Sequence, residues 1–123
     1  MDCPFCEMPK ARIVFETSSF YVVEDAYPVT SYHSLIITHD HHLTFSIMSE
    51  FQQIEFASCI NKIKAKISSM DPSVTGFNIG INEGQDAGQT VMHFHCHVIP
   101  RRNGDMLDPR GGVRGVIPNK QKY

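Results

Sequence analysis

The sequence predicts an α+β domain built on an antiparallel sheet, and three observations carry that expectation. Two strand-length runs come first, one starting "FYVVEDAYPV" at Phe20 and one "SLIITH" at Ser34. A helical period follows, from Ile54 to Met70. Strict alternation then returns in "TGFNIGIN" and again in the run ending "HFHCHVIP". Strands, one long helix and strands again argue against a doubly wound parallel sheet. Neither a strand–GxGxxG–helix unit nor a GxxxxGK-Ser/Thr loop is present, so the two common nucleotide-binding loops do not apply.

Phe20 to Val29 starts as a strand and turns at Pro28, and Ser34 to His39 is a short apolar strand. Ile54, Ala57, Ile60, Ile63, Ile67 and Met70 recur at three or four, which predicts a helix with one buried face. Ser49 caps it, with Gln52 completing a capping box, and "SSMDPS" stops it. Lys62, Lys64 and Lys66 crowd toward its end, where cations suit the helix dipole. Phe77, Ile79 and Ile81 then point one way, and Asn78, Gly80 and Asn82 the other. "EGQDAG" reads as a tight loop, and "QTVMHFHCHVIP" as the antiparallel partner strand. The tail from residue 103 is rich in Gly, Pro and charge and reads as an ordered extension or a loop.

A chain of 123 residues fits one domain, 1–123, with room for a core. A net charge of −2 leaves no broad basic field for duplex nucleic acid. No stretch approaches the roughly 20 apolar residues of a membrane span. "MDCPFCEMPK" lacks the pattern of a signal peptide, so the expected location is cytoplasmic. There Cys3, Cys6, Cys59 and Cys96 are expected as thiols or metal ligands, not disulfides. Cys59 and Cys96 read as core.

His93, His95 and His97 are three of seven histidines. On a strand they form a row, with neighbouring Cα atoms roughly 6.5–7 Å apart. A merely solvated face is one explanation of such a row. A metal site is a second. "CPFC" offers Cys3 and Cys6, and "THDHH" offers His39, His41 and His42, so two thiolates and two imidazoles would close a tetrahedral zinc. Phosphate chemistry is a third, because neutral imidazole is a competent nucleophile near pH 7. Gln89 and Thr90 offer donors just ahead of the row, and Asn82 lies on the polar face of the adjacent strand.

"HFHCHVIP", preceded by "NEGQDAGQTV", resembles the His-x-His-x-His motif of the histidine triad (HIT) superfamily and the loop before it. The resemblance runs from about Phe20 to Arg102. "GQTV" and "PRRNGD" look most like the fragile-histidine-triad and bacterial diadenosine tetraphosphate hydrolase branches. The resemblance implies a HIT-like fold with about five antiparallel strands, one long helix and a short one, and a homodimer. It implies cleavage of a dinucleoside polyphosphate at the α-phosphate through a nucleotidyl-histidine intermediate. His95 would be the nucleophile and His97 its supporting donor. Gly88, Gln89, Thr90 and Val91 would cradle the phosphate, Asn82 would contact phosphate or ribose, and Asp25 would hold the ribose hydroxyls. Phe5, Val23 and Ile36 are candidates for the base pocket. Some members bind structural zinc, which here implies Cys3, Cys6, His41 and His93, the first histidine of the triad. The N-terminal ten residues would then be a zinc-binding segment and 103–123 a C-terminal extension. No catalytic metal is implied, and Mg²⁺ would enter only with a polyphosphate substrate.

The chain departs from the family's usual Gly-His at Tyr32-His33; His33 is expected to keep a structural or active-site role, and Tyr32 bears on the local turn. Arg110 and Arg114 in the tail are either polyphosphate contacts or surface charges. Hydrolysis of a nucleoside phosphoramidate is the nearest variant of this activity. A zinc-stabilised nucleotide-binding protein with little turnover is the rival from another class.

Overall fold

The computed structural model describes residues 2–123. Its strands are β1 (Ile13–Glu16), β2 (Phe20–Glu24), β3 (Ser34–Thr38), β4 (Val74–Ile81) and β5 (His95–Arg102), and its α-helix is α1 (Glu50–Met70). The strands form one sheet in the order β1-β2-β3-β5-β4, every neighbour antiparallel. The expected α+β fold is observed. The short second helix takes the form of 3₁₀ turns, among them Phe45–Ile47, Gln85–Ala87 and Gly112–Val116. The sequence reading did not assign β1, a four-residue strand at the sheet edge.

Alternation on each strand divides the core in two. Phe20, Val22, Ile36, Phe94, Cys96 and Val98 face α1. Tyr21, Val23, Leu35 and Ile37 face the other way, under Phe5, Met8 and Ile13. The second face carries the candidate site. Cys96 lies wholly on the helix side, and burial pushes its thiol up to about 12.

The capping box forms as expected. Ser49 Oγ accepts from the Gln52 backbone N–H at 3.1 Å, and Gln52 Oε1 accepts from the Ser49 N–H at 3.0 Å. The buried stripe differs from the expected one. It consists of Phe56, Cys59, Ile63 and Ile67, whereas Ile54 is 65% exposed and Met70 45%. At about 100° per residue Ile54 sits roughly opposite the centre of that stripe. The helix also runs past its lysines to Met70, so they do not occupy the last turn. Lys62 and Lys64 instead lie over the rings of Phe15 and Phe77. Glu55 ties the helix to the β1–β2 turn, accepting from Thr17, Ser18 and the Ser19 N–H. Burial opposes its ionisation, but those bonds outweigh it and hold the carboxyl below its ordinary range.

The tail is an ordered extension. Gly111 has φ 74°, and a Cβ there would meet the Gln121 carbonyl oxygen at 1.9 Å, so glycine is required. Arg114 donates to the Lys120 carbonyl and lies over Tyr123, and Arg110 stays beside Asp108 through its backbone.

Candidate active site and metal centre

β5 begins at His95, not at Gln89 as the alternation suggested. Gly88 turns the chain with φ 92°, and the Phe94 N–H donates to the His42 carbonyl. His93 therefore precedes the strand, and its side chain is fully buried. Its Nε2–H donates to the Thr38 carbonyl at 2.7 Å. That bond fixes the tautomer and leaves Nδ1 as a lone pair.

Nδ1 of His93 faces three other ligand-type atoms. Cys3 Sγ is at 3.4 Å, Cys6 Sγ at 3.5 Å and His41 Nδ1 at 3.2 Å, and Cys6 Sγ lies 3.2 Å from His41 Nδ1. Zinc bonds of about 2.3 Å to sulfur and 2.0–2.1 Å to nitrogen give tetrahedral edges of about 3.3–3.8 Å. The four residues thus stand close to the spacing of one tetrahedral ion, and all four donor atoms lie within 4.8 Å of one another. The cluster is compatible with a structural zinc. Of the neighbouring histidines, His39 turns away to the Thr17 carbonyl and Glu16, and His42 to Asp40.

His95 and His97 do share one strand face, with ring centroids 5.4 Å apart. His95 Nδ1–H donates to the His93 carbonyl at 2.9 Å, which leaves a lone pair on Nε2. A second chain of bonds sets His97. The Val29 backbone N–H donates to His33 Nδ1 at 3.0 Å, so His33 carries its proton on Nε2. His33 Nε2–H donates to His97 Nδ1 at 2.9 Å, so neutral His97 carries its own proton on Nε2. Burial lowers the pKa of both rings, against the opposing charge of Asp25. Asp25 Oδ2 lies 3.4 Å from His33 Nε2 and 3.9 Å from His97 Nδ1. A lone pair on one imidazole beside an N–H donor on the next suits attack on a phosphoryl centre and stabilisation of its charge.

Both rings line a cavity of about 670 Å³. Asp25, Asn82, Gly88, Thr90 and Val91 line it with them, so most of the expected contacts converge. Gln89 does not. It is buried, its Oε1 accepts from the Gly84 N–H and its Nε2 donates to the Leu43 carbonyl, so its side chain pins the loop. Phe5 and Val23 line the cavity as expected, but Ile36 lies under α1 and Leu35 takes its place. The β2–β3 register explains this, because Val23 pairs with Leu35 and Val22 with Ile36. Neither Arg110 nor Arg114 lines it. Arg12 does, bonded to the Glu24 carbonyl, and the sequence reading missed it. His33 has the expected place beside the site, but its bond to His97 was not foreseen. The one signal for that bond was a histidine immediately before β3, the strand beside β5.

Residues 7–104 match the family model described as HIT domain. The chain belongs to the HIT family. The uncharacterized HIT-like protein MG132 of Mycoplasma genitalium is 32% identical over 103 residues, covering 80% of this chain and 72% of that protein. The adenylylsulfatase HINT3 of Arabidopsis thaliana is 32% identical, covering 86% of this chain and 55% of its own length. A zinc-bound histidine triad family protein from Mycobacterium smegmatis superposes with a TM-score of 0.73 at 32% identity, covering 88% of this chain and 81% of that one. The five-stranded sheet with one long helix is thus a HIT fold, and the cavity beside His95 and His97 is the candidate nucleotide site of this HIT domain. No helix among the described residues is long and apolar enough to cross a membrane.

Proposed function

We propose that this HIT domain is a nucleotide hydrolase that cleaves dinucleoside polyphosphates, such as diadenosine tetraphosphate, at the α-phosphate. The observation that carries this reading is the fixed pair of tautomers, a lone pair on His95 Nε2 beside an N–H on His97 Nε2.

In the first step His95 Nε2 forms a bond to the α-phosphorus. The bond from phosphorus to the bridging oxygen breaks, and ATP leaves from diadenosine tetraphosphate. His95 keeps its proton on Nδ1, and the His93 carbonyl, accepting that N–H, steadies the positive ring. In the second step water forms a P–O bond and the P–N bond breaks. This releases AMP, returns the ring's electron pair to Nε2 and gives the water proton to solvent. His97 Nε2–H donates to a phosphate oxygen in both steps, where charge builds up. Thr90 and the backbone at Gly88 and Val91 complete the phosphate cradle, with Asn82 beside it and Asp25 on the ribose. Phe5, Val23 and Leu35 form the apolar wall for the base.

Cys3, Cys6, His41 and His93 would hold a structural zinc, with no part in bond making. Their spacing supports this, as does the zinc-bound relative. Mg²⁺ would travel with the polyphosphate. The working form is a homodimer in the cytoplasm; the edge position of β4 and the exposed Ile47, Phe51 and Ile54 favour the dimer.

One observation favours nucleoside phosphoramidates as a second substrate class. Among the described residues lining the cavity, Arg12 is the only Lys or Arg, and it sits with Phe5 and Met8. A short, weakly charged leaving group needs fewer cations than a triphosphate. The Arabidopsis relative, an adenylylsulfatase by name, also supports an adenylyl conjugate as substrate.

The test is chromatography of products from diadenosine tetraphosphate and from an adenosine phosphoramidate, with and without Mg²⁺. AMP plus ATP from the first supports the leading reading. Turnover of the phosphoramidate alone supports the second. No turnover of either by zinc-replete protein counts against both.

A further inference from the structure

The N-terminal turn touches both the metal cluster and the nucleotide cavity. Phe5 stands between Cys3 and Cys6. Its ring meets His93 edge-on, with centroids 5.8 Å apart at 87°, and meets His95 at 4.9 Å and 69°. The same ring lines the cavity. One side chain therefore contacts a residue of the cluster, the ring proposed as nucleophile and the space proposed for the base.

The turn has few hydrogen bonds to the rest of the chain. Residues 2–12 contribute no strand and no α-helix. Within the turn, the N–H groups of Cys6 and Glu7 donate to the Cys3 carbonyl. The turn meets the body through Phe5 and Met8 packed on Tyr21, Val23, Leu35 and Ile37, through the Cys/His cluster, through Tyr21 Oη donating to the Phe5 carbonyl, and through Arg12 donating to the Glu24 carbonyl. Pro4, Phe5, Glu7, Met8, Pro9 and Arg12 together make one wall of the cavity. An ion in the cluster and a nucleotide in the cavity would both order this segment. The entropy of ordering it is lost once, to whichever binds first, so the second binds more tightly.

We propose that Phe5 is a positioning residue through which zinc in the Cys3–Cys6–His41–His93 cluster and nucleotide in the cavity strengthen each other's binding. The proposal rests on the reading above that the cluster takes zinc and the cavity takes nucleotide. Linkage requires the two effects to be equal, and couplings of this kind run from roughly 5- to 150-fold. The N-terminal segment then acts as a zinc-dependent wall of the active site.

The experiment uses the full chain, with AMP as the nucleotide probe and zinc as the metal. Calorimetry gives the AMP Kd for zinc-loaded and zinc-free protein. Competition against a chromophoric chelator gives the zinc Kd with and without saturating AMP. The expected result is an AMP Kd at least fivefold higher without zinc, and a zinc Kd lowered by AMP by the same factor. In Phe5→Ala that factor falls below two while one zinc per chain is kept, and Phe5→Leu restores part of it. An AMP Kd equal with and without zinc overturns the proposal. So does a Phe5→Ala protein in which AMP tightens zinc as much as in the wild type. If the zinc-free chain loses its helical circular dichroism, the chelator competition on wild type and Phe5→Ala decides alone. Failure to take up zinc, or failure of the loaded protein to bind AMP, contradicts the proposed function as well. Binding of both with a factor of one contradicts the linkage only.

Discussion

The His93 carbonyl accepts a hydrogen bond from His95 Nδ1–H at 2.9 Å, while the His93 ring turns away into the cluster with Cys3, Cys6 and His41. One residue thus serves two sites, with its backbone at one and its side chain at the other. The two can be tested separately, because substitution of the side chain leaves the carbonyl in place.

Replacing the proposed nucleophile should abolish turnover without unfolding the chain. His95→Ala is expected to lower kcat by at least about 10³-fold, the scale seen when a covalent nucleophile is removed. AMP release measured by chromatography, with circular dichroism as the folding control, checks this. Residual turnover within tenfold of wild type would remove His95 from the mechanism.

The supporting donor should matter through its tautomer. His97→Ala is expected to lower kcat about 10²- to 10³-fold, as for loss of one donor to a developing negative charge. His33→Ala removes the bond that orients His97, together with the acceptor of the Val29 N–H, and should cost a smaller factor, with KM little changed. A larger loss in His33→Ala than in His97→Ala would contradict the order of the bonds.

The same pair should make stability sensitive to pH. Burial lowers both pKa values in the folded chain, so below about 6.5 the unfolded chain binds protons that the folded chain refuses. Stability from the neutral pair is full above that value and declines as pH falls below it. Urea midpoints at pH 7.5 and 5.5 should therefore fall further for wild type than for the double variant His33→Asn, His97→Asn.

A second pH effect runs through Asp71. Hydrogen bonds from Ser73, then from Arg102, depress its carboxyl to about 2. The unfolded value is about 3.9, so this contribution is present above about pH 4 and is lost as pH falls through 2. The melting-temperature gap between wild type and Asp71→Asn should be widest at neutral pH and shrink below pH 4.

Tyr32 offers a backbone test. It is the one non-glycine residue with positive φ among the described residues, at 72°, and its ring packs partly against the core under α1. Tyr32→Ala loses the ring and keeps the strain, whereas Tyr32→Gly loses both. The glycine variant should be the more stable of the two by about 1 kcal/mol, the reverse of the order at most positions. Chemical denaturation of the two variants measures the difference. Equal stability would mean that the left-handed turn carries no strain.

Local patterns were legible from the chain alone. The Ser49–Gln52 box, the long helix and the strands around "TGFNIGIN" and "HFHCHVIP" depend on spacing within a few residues, and spacing is written in sequence. The resemblance then brought Cys3, Cys6, His41 and His93 together as one expected ligand set. Other features waited for tertiary structure, because period says which residues share a face but not what that face meets. Ile54 and Phe56 both belong to apolar repeats on the helix, and only docking on the sheet buried Phe56. Leu35, not Ile36, reached the cavity because the β2–β3 register sets it opposite Val23. His33 found His97 because β3 lies beside β5, and Gln89 turned inward to close its own loop. The histidine row and the cysteine pair were thus determined by the sequence itself. Their bonding partners, their tautomers and the shared wall at Phe5 were decided only when segments up to 90 residues apart were packed together.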